Sequence, residues 1–135
     1  MARRLWSVFT DEMNICWLTD QNRYVERHHV FNGALKFLSE KYGYIIPVQK
    51  DVHNQKPYSI HENKPFRLAL KQFCQRHFEL THTREDFVAL FKENFIMDEE
   101  NDGYEINILD YGVPKEMISP ELLGRYARRD ARVLQ

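Results

Sequence analysis

The chain of 135 residues carries 19 basic and 20 acidic side chains, and 43% of its residues are hydrophobic. This size and apolar fraction are typical of one folded domain with an appendage and exclude a wholly disordered chain. No apolar run approaches the roughly 20 residues of a membrane-spanning helix, and MARRLWSVFTDEMN lacks the apolar stretch of a secretory signal. A cytoplasmic protein with reduced Cys16 and Cys74 is therefore predicted.

Charge is distributed unevenly along the chain. Residues 1–80 carry 12 basic against 8 acidic side chains and five of the six histidines, whereas residues 81–135 carry 7 basic against 12 acidic. The first part therefore suits contact with a polyanion such as nucleic acid, and the second would be repelled by one. An ordinary mixed surface explains the same distribution equally well.

Patterns in the first half predict a strand, a helix and a second strand, in that order, over residues 24–31, 34–42 and 44–48. Asn32-Gly33 ends the first strand and Gly43 ends the helix. Pro47 indicates that the second strand is an edge strand or carries a bulge. Pro57 argues against one unbroken helix over residues 50–62.

Two helices and an acidic segment are predicted next. Asn63 is a suitable N-cap for the first helix, with Pro65 in its first turn, and Thr83 is a suitable N-cap for the second. Residues 98–110 hold six acidic side chains and no basic one. Within that stretch YEINIL alternates like a strand, which predicts a C-terminal hairpin, and a last helix is predicted from Ser119 to Val133.

The adjacent histidines His28 and His29 are the main chemical signal. Successive side chains of a strand point to opposite faces, so the two can reach one pocket only beside a strand end, bulge or tight turn. A metal ligand next to a general base is one use of such a pair, because imidazole ligates metals and has a pKa of about 6.5. His53 and His61 follow within the same part of the chain. A surface or structural role for His28 and His29 is the alternative.

Five segments give the chain a resemblance to a known family. They run in order over about residues 8–96 and read ERHHVFNGALKFLSEKYGYIIPV, DVHN, SIHENK, LALKQFCQRHFE and TREDFVALFKENF. Together they resemble small phage-encoded HNH nucleases, some of which are recombination-associated. Residues 97–135 carry no resemblance. The sequence is therefore divided into an HNH-like domain over residues 1–96 and a C-terminal extension over residues 97–135.

The resemblance implies an α+β protein with a ββα-metal core, in which two strands and a helix hold one divalent ion. It implies that His28, His53 and His61 are metal ligands. It makes His29 the general base that deprotonates a water during phosphodiester hydrolysis in DNA. Two further residues match supporting polar positions of the family, Asn54 and Asn63.

The implied cofactor is one divalent ion, Mg²⁺, Mn²⁺, Ni²⁺ or Zn²⁺. An all-histidine shell favours the last three, because Mg²⁺ prefers oxygen ligands. Six basic residues near the predicted site are candidates to contact DNA phosphates: Arg23, Arg27, Lys36, Lys50, Lys56 and Lys64.

The sequence departs from the family pattern at three places, one of which is Asn32-Gly33 where the family usually has Gly-Gly after the first strand. Many relatives carry a zinc knuckle with two cysteine pairs, but Cys16-Trp-Leu-Thr19 retains one cysteine, and Gln49 and Val52 take the second pair's places. Packing by Trp17 is expected to replace that zinc. The central Asn of the HNH motif corresponds to Tyr44, so a backbone carbonyl is expected to orient His29 instead.

Two other functions compete with the nuclease. A catalytically weakened HNH scaffold would act as a phage inhibitor that binds a host nucleic-acid enzyme through the acidic segment, residues 98–110. A dimeric structural module would use the helix from Ser119 to Val133. The sequence leaves the oligomeric state open.

Overall fold

A computed structural model describes residues 4–124 as a mixed α+β fold. The helix α1 (Lys36–Tyr42) lies between two strands in the sequence, β1 (Val25–His29) and β2 (Ile45–Gln49). Two longer helices follow, α2 (Lys64–Phe78) and α3 (Arg84–Phe91). Shorter helical turns connect them: a π-helical turn at Asp51–Gln55 and 3₁₀ turns at Gly33–Leu35, Ile60–Glu62, Ile108–Tyr111 and Lys115–Met117. No helix within residues 4–124 is long and apolar enough to cross a membrane.

The two strands form one antiparallel pair. His28 lies opposite Ile46 and Arg27 lies opposite Pro47, without an extra residue on either strand. Since the sheet has two strands within residues 4–124, each is an edge strand there, and Pro47 needs no partner for its missing N–H. The prediction of an edge position for Pro47 is confirmed. The regular pairing also keeps the side-chain alternation of β1 intact up to His29.

Helices α2 and α3 begin at the predicted caps. The Asn63 side chain accepts a hydrogen bond from the backbone N–H of Phe66, and Thr83 forms a capping box with Asp86. Both caps satisfy N–H groups that have no partner inside the helix. Phe87 and Phe91 of α3 pack against Phe31, and Phe78 of α2 packs against both of these rings.

The described part of the C-terminal extension shares the core of the first 96 residues. Ile108, Val113, Ile118 and Leu122 belong to the same buried cluster as Phe31 and the aromatic faces of α2 and α3. Asn63 adds a polar link, because its side-chain amide donates to the carbonyl of Tyr111 over 2.6 Å. Residues 97–124 therefore contribute to the packing that supports α2.

The strand predicted at residues 104–109, and with it the C-terminal hairpin, is wrong. These residues form irregular chain and then the 3₁₀ turn at Ile108–Tyr111. The Asn107 side chain accepts a hydrogen bond from the N–H of Leu109, which favours a turn over an extended chain. The side chains of YEINIL alternate, but the segment has no neighbouring strand to pair with in residues 4–124.

The last predicted helix begins where expected. Helical residues start at Pro120, and the Ser119 hydroxyl accepts a hydrogen bond from the N–H of Leu122. This is the N-cap arrangement that Ser-Pro-Glu predicts. The remainder of that prediction, from residue 125 to Val133, lies outside the described residues.

A hydrogen bond joins the two segments that carry the zinc knuckle in the resembled family. The Thr19 hydroxyl donates to the Gln49 side chain over 2.6 Å, and the N–H of Trp17 donates to the carbonyl of Pro47. Trp17 also packs edge-on against Phe9. Polar contacts as well as the expected packing therefore hold the loop at residues 16–19 against β2. Cys16 and Cys74 are both buried free thiols.

Two glycines allow a test of how the extension is fixed to α2. Gly103 has φ +88°, and a Cβ there would lie 2.6 Å from the backbone oxygen of Gln72. Gly112 has φ +80°, but a Cβ there would meet no atom within 4 Å. We expect Gly112→Ala to lower the free energy of unfolding by about 1 kcal/mol through backbone strain alone. Gly103→Ala should lower it by roughly 3 kcal/mol, because overpacking adds to that strain.

Urea unfolding followed by far-UV circular dichroism measures both variants. Equal losses for Gly103→Ala and Gly112→Ala would show that the segment does not approach α2 so closely.

Candidate metal centre

Three of the predicted histidines come together at one end of the sheet. His28 is contributed by β1, His53 by the π-helical turn and His61 by the 3₁₀ turn that precedes α2. One ring nitrogen from each lies within 4.8 Å of the other two. This spacing is close enough for a single ion to bind all three. The predicted convergence of His28, His53 and His61 is therefore present in the fold.

The three imidazole rings lie close together. His53 Nε2 lies 2.9 Å from His61 Nε2, and the centroids of those two rings are 4.5 Å apart. The His28 ring crosses both others edge-on, with centroid distances of 5.2 Å to each. Two unprotonated nitrogens at this distance repel each other unless a proton or a cation lies between them. The cluster is thus suited to a positive ion.

Glu26 completes the surroundings of His53. It lies two residues before His28 and therefore on the same face of β1. Its Oε1 lies 2.9 Å from His53 Nδ1. A carboxylate at Nδ1 fixes the imidazole with its Nε2 lone pair directed at His61. Carboxylates that accept from the second ring nitrogen orient metal-binding histidines in this way. Sequence reasoning missed Glu26, although the i, i+2 spacing to His28 was a usable signal.

His28 is buried and electrically neutral. Burial first, and then the neighbouring His53 and His61, lower the pKa of His28 from 6.5 to about 3. The Nδ1 atom of His28 is buried without a hydrogen-bond partner among the described residues. Burial and His53 also lower the pKa of His61. Neutral imidazoles are the form that ligates metals, so these shifts prepare the cluster for an ion.

His29 points away from this cluster. Its ring lies on the opposite face of β1, where Nε2 is 3.3 Å from Oε1 of Glu40 on α1. The Tyr44 carbonyl accepts the N–H of Val30, and the Tyr44 hydroxyl lies 3.4 Å from His77 Nδ1. Glu40 therefore occupies the place beside His29 for which a backbone carbonyl was expected. Sequence reasoning gave no indication of Glu40.

The predicted supporting and DNA-binding residues take different positions. Asn63 caps α2 directly after His61, whereas Asn54 is exposed. The six predicted basic residues are all exposed, and none forms an ion pair within residues 4–124. Three other basic residues line one cavity together with His61, and sequence reasoning did not select them: Arg67, Lys71 and Lys92.

The acidic segment is partly neutralised inside the protein. Glu99 forms ion pairs with Arg84 and lies 3.6 Å from Arg76. Asp102 accepts hydrogen bonds from two backbone N–H groups, those of Met97 and Asp98. Several of these carboxylates therefore hold the loop together. A partner that docks on residues 98–110 remains a prediction.

The donor set fits a transition-metal ion. Three imidazoles suit Zn²⁺, Ni²⁺ or Mn²⁺ better than Mg²⁺, which prefers oxygen ligands. The orphaned Nδ1 of His28 would gain a partner within such a shell. Three protein ligands leave at least one coordination position open, which is typical of catalytic sites.

Metal affinity should depend on both the ligands and Glu26. We expect one Zn²⁺ per chain for the wild type by isothermal titration calorimetry. Outer-shell changes typically lower metal affinity about 10- to 100-fold, so Glu26→Gln should lie in that range and His61→Ala should exceed it. His82→Ala, an exposed histidine outside the cluster, is the matched control and should bind as the wild type does. Equal affinity of His61→Ala and His82→Ala would rule out this centre.

The burial of His28 makes the stability of the metal-free protein sensitive to acid. Because the pKa of His28 is about 3 in the folded chain and 6.5 in the unfolded chain, the unfolded chain binds more protons between these values. Stability is therefore present above pH 6.5 and falls as the pH drops toward 3. The expected loss from pH 7 to pH 5 is about 2 kcal/mol. Urea unfolding in EDTA measures it, and His28→Leu should remove most of this dependence. An unchanged dependence in that variant would assign it to other groups.

The arrangement has three parts: a three-histidine cluster, an oriented histidine on the opposite strand face, and basic residues along an adjoining cavity. Each part is built from side chains of the same short region of the fold. No family model, curated protein or solved structure matches this chain significantly.

Proposed function

We propose that the protein is a metal-dependent DNA endonuclease of the HNH type, with β1, β2 and the turns that follow them forming a ββα-metal site. The observation that carries this proposal is the convergence of His28, His53 and His61, with His29 held separately by Glu40. The resemblance of residues 8–96 to phage-encoded HNH nucleases assigns these same four histidines to the same roles. That resemblance rests on segments that contain these histidines, and the fold adds that three of them converge.

Strand alternation explains how two adjacent histidines take two roles. His28 faces the buried cluster and serves as a ligand, and His29 faces the opposite side and is free of the ion. Glu40 accepts a hydrogen bond from Nε2–H of His29, which places the lone pair on Nδ1. Because His29 is the last residue of β1, a phosphate that extends past the end of the strand would bring the attacking water to Nδ1, the atom that takes its proton. Glu40 also stabilises the imidazolium that this transfer produces.

The histidine cluster defines where the phosphate is held. A divalent ion held by His28, His53 and His61 would supply Lewis-acid stabilisation of the charge that develops on the phosphate and on the leaving oxygen. Glu26 keeps His53 in the orientation that this requires. The exposed basic residues around the site neutralise phosphates on either side and fix the strand in register.

Plasmid nicking tests the proposed roles. Wild type should nick supercoiled DNA with Mn²⁺, Ni²⁺ or Zn²⁺, less with Mg²⁺, and not in EDTA. His29→Ala should lose roughly 10²- to 10⁴-fold in rate, the usual contribution of a general base, while its metal affinity remains that of the wild type. The unchanged affinity separates a proton-transfer role from a ligand role.

His82→Ala is again the matched control and should nick as the wild type does. Nicking that continues in EDTA would overturn the metal mechanism. Full activity of His29→Ala would remove the proposed base.

A further inference from the structure

A cavity of about 400 Å³ lies beside the histidine cluster, and His61 forms part of its wall. The end of β1, the turn before α1, the first half of α2 and the end of α3 surround it. Small-molecule sites in proteins usually have volumes of about 300–1,000 Å³. The cavity is therefore large enough for one small ligand and shares a residue with the metal centre.

Most of the charged residues that line this cavity are basic. Arg67, Lys71 and Lys92 line it, with Glu93 as the one acidic neighbour. None of these three basic residues forms an ion pair with a carboxylate in the part of the chain from residue 4 to residue 124. Cations on a concave wall reinforce one another's potential. The cavity should therefore attract an anion.

Two of the basic groups are held in place. Arg67 donates hydrogen bonds to the carbonyls of Ile60 and His61, so it is fixed to the turn that carries a metal ligand. The Lys71 ammonium lies over the Phe95 ring at 5.4 Å from its centroid. Groups that are already positioned lose less conformational entropy when they bind a ligand. The cationic wall is thus preorganised.

Most of the remaining lining is apolar. Leu35, on the turn before α1, is half-buried, and the buried Phe91 and Phe95 also line the cavity. A free phosphate ion would leave this surface unused. A nucleotide has both parts, because its phosphate is anionic and its base and sugar offer apolar faces. The lining therefore fits a nucleotide better than an inorganic anion.

A paired base does not fit such a site. In a duplex each base is stacked between its neighbours and paired with the opposite strand, so it enters a protein cavity only when it is unpaired or flipped out. We propose that this cavity binds one unpaired nucleotide of the substrate strand beside the scissile phosphate. This inference rests on the proposed nuclease function and specifies its substrate as DNA with an unpaired nucleotide next to the cut.

Binding without cleavage tests the cavity separately from catalysis. The probe is a fluorescein-labelled single-stranded oligonucleotide, compared by anisotropy in EDTA with the same oligonucleotide in a continuous duplex. The wild type should bind the single strand at least tenfold more tightly. Lys71→Glu and Lys92→Glu should each lower single-strand affinity by about tenfold or more, because each replaces a phosphate contact with repulsion.

Lys115→Glu is the matched control, since Lys115 is exposed and does not line the cavity. It should bind the single strand as the wild type does. Lys92 is also exposed, so the Lys92→Glu variant keeps the test valid if Lys71→Glu fails to fold. Wild-type affinity in Lys92→Glu, or tighter binding of duplex than of single strand, would overturn the proposal.

A nicking assay distinguishes failure of the nucleotide site from failure of the proposed nuclease function. Metal-dependent nicking together with unaffected cavity variants would keep the nuclease and remove the nucleotide site. Loss of single-strand binding in both cavity variants, without nicking by the wild type under any metal, would keep the nucleotide site and remove the hydrolysis.

Discussion

The imidazole of His28 lies in the core at the end of β1, 2% exposed, with its Nδ1 unpaired among the described residues. A buried polar atom without a partner lowers stability by roughly 1–3 kcal/mol. The surrounding hydrophobic packing has to offset that cost in the metal-free chain. An ion on His28, His53 and His61 would satisfy the nitrogen and stabilise the fold by mass action, by about 2.7 kcal/mol at a hundredfold excess over its dissociation constant. Site and stability are therefore coupled through one side chain.

The regular pairing of β1 with β2 determines what each histidine can do. Glu26 and His28 share one face, and Arg27 and His29 share the other. A one-residue shift in register would exchange the faces and bury His29 in place of His28. A different carboxylate lies at each face. Glu26 of β1 contacts His53 on one side, and Glu40 of α1 contacts His29 on the other. The two carboxylates thus give neighbouring imidazoles separate hydrogen-bond partners and separate chemistry.

The sequence predicted the elements and the histidine cluster better than the carboxylates that contact the histidines. Caps and turn residues act locally, so Asn63 and Thr83 could be predicted from the sequence as the N-caps of α2 and α3. Histidines are rare and chemically distinctive, so His28, His53 and His61 could be selected. Glu26 and Glu40 are common surface residues whose partners lie 27 and 11 positions away, and only the folded chain brings them together.

The wrong strand at residues 104–109 has a related cause. Alternation describes a side-chain pattern, but a strand also needs a partner for its backbone, and the side chain of Asn107 supplies a competing hydrogen bond to the N–H of Leu109. The basic residues chosen by their closeness in sequence were likewise exposed, whereas Arg67 and Lys71 reach the cavity from one face of α2. Positions four apart on a helix share a face, so Arg67 and Lys71 point the same way. Only the position of α2 in the fold shows that this face lines a cavity.

Helix α2 carries basic residues toward both the cavity and the acidic loop. Its first half places Arg67 and Lys71 at the cavity, and its last turn carries Arg76, which donates hydrogen bonds to the carbonyls of Glu99 and Asp102. Lys71 and Arg76 are separated by about 7.5 Å along the helix axis, which is no more than the Debye length of about 8 Å at physiological ionic strength. Distance alone therefore does not screen the cavity from the acidic loop. Pairing of Glu99 with Arg84 and Arg76 instead reduces the negative potential that this loop adds beside the basic residues of the cavity.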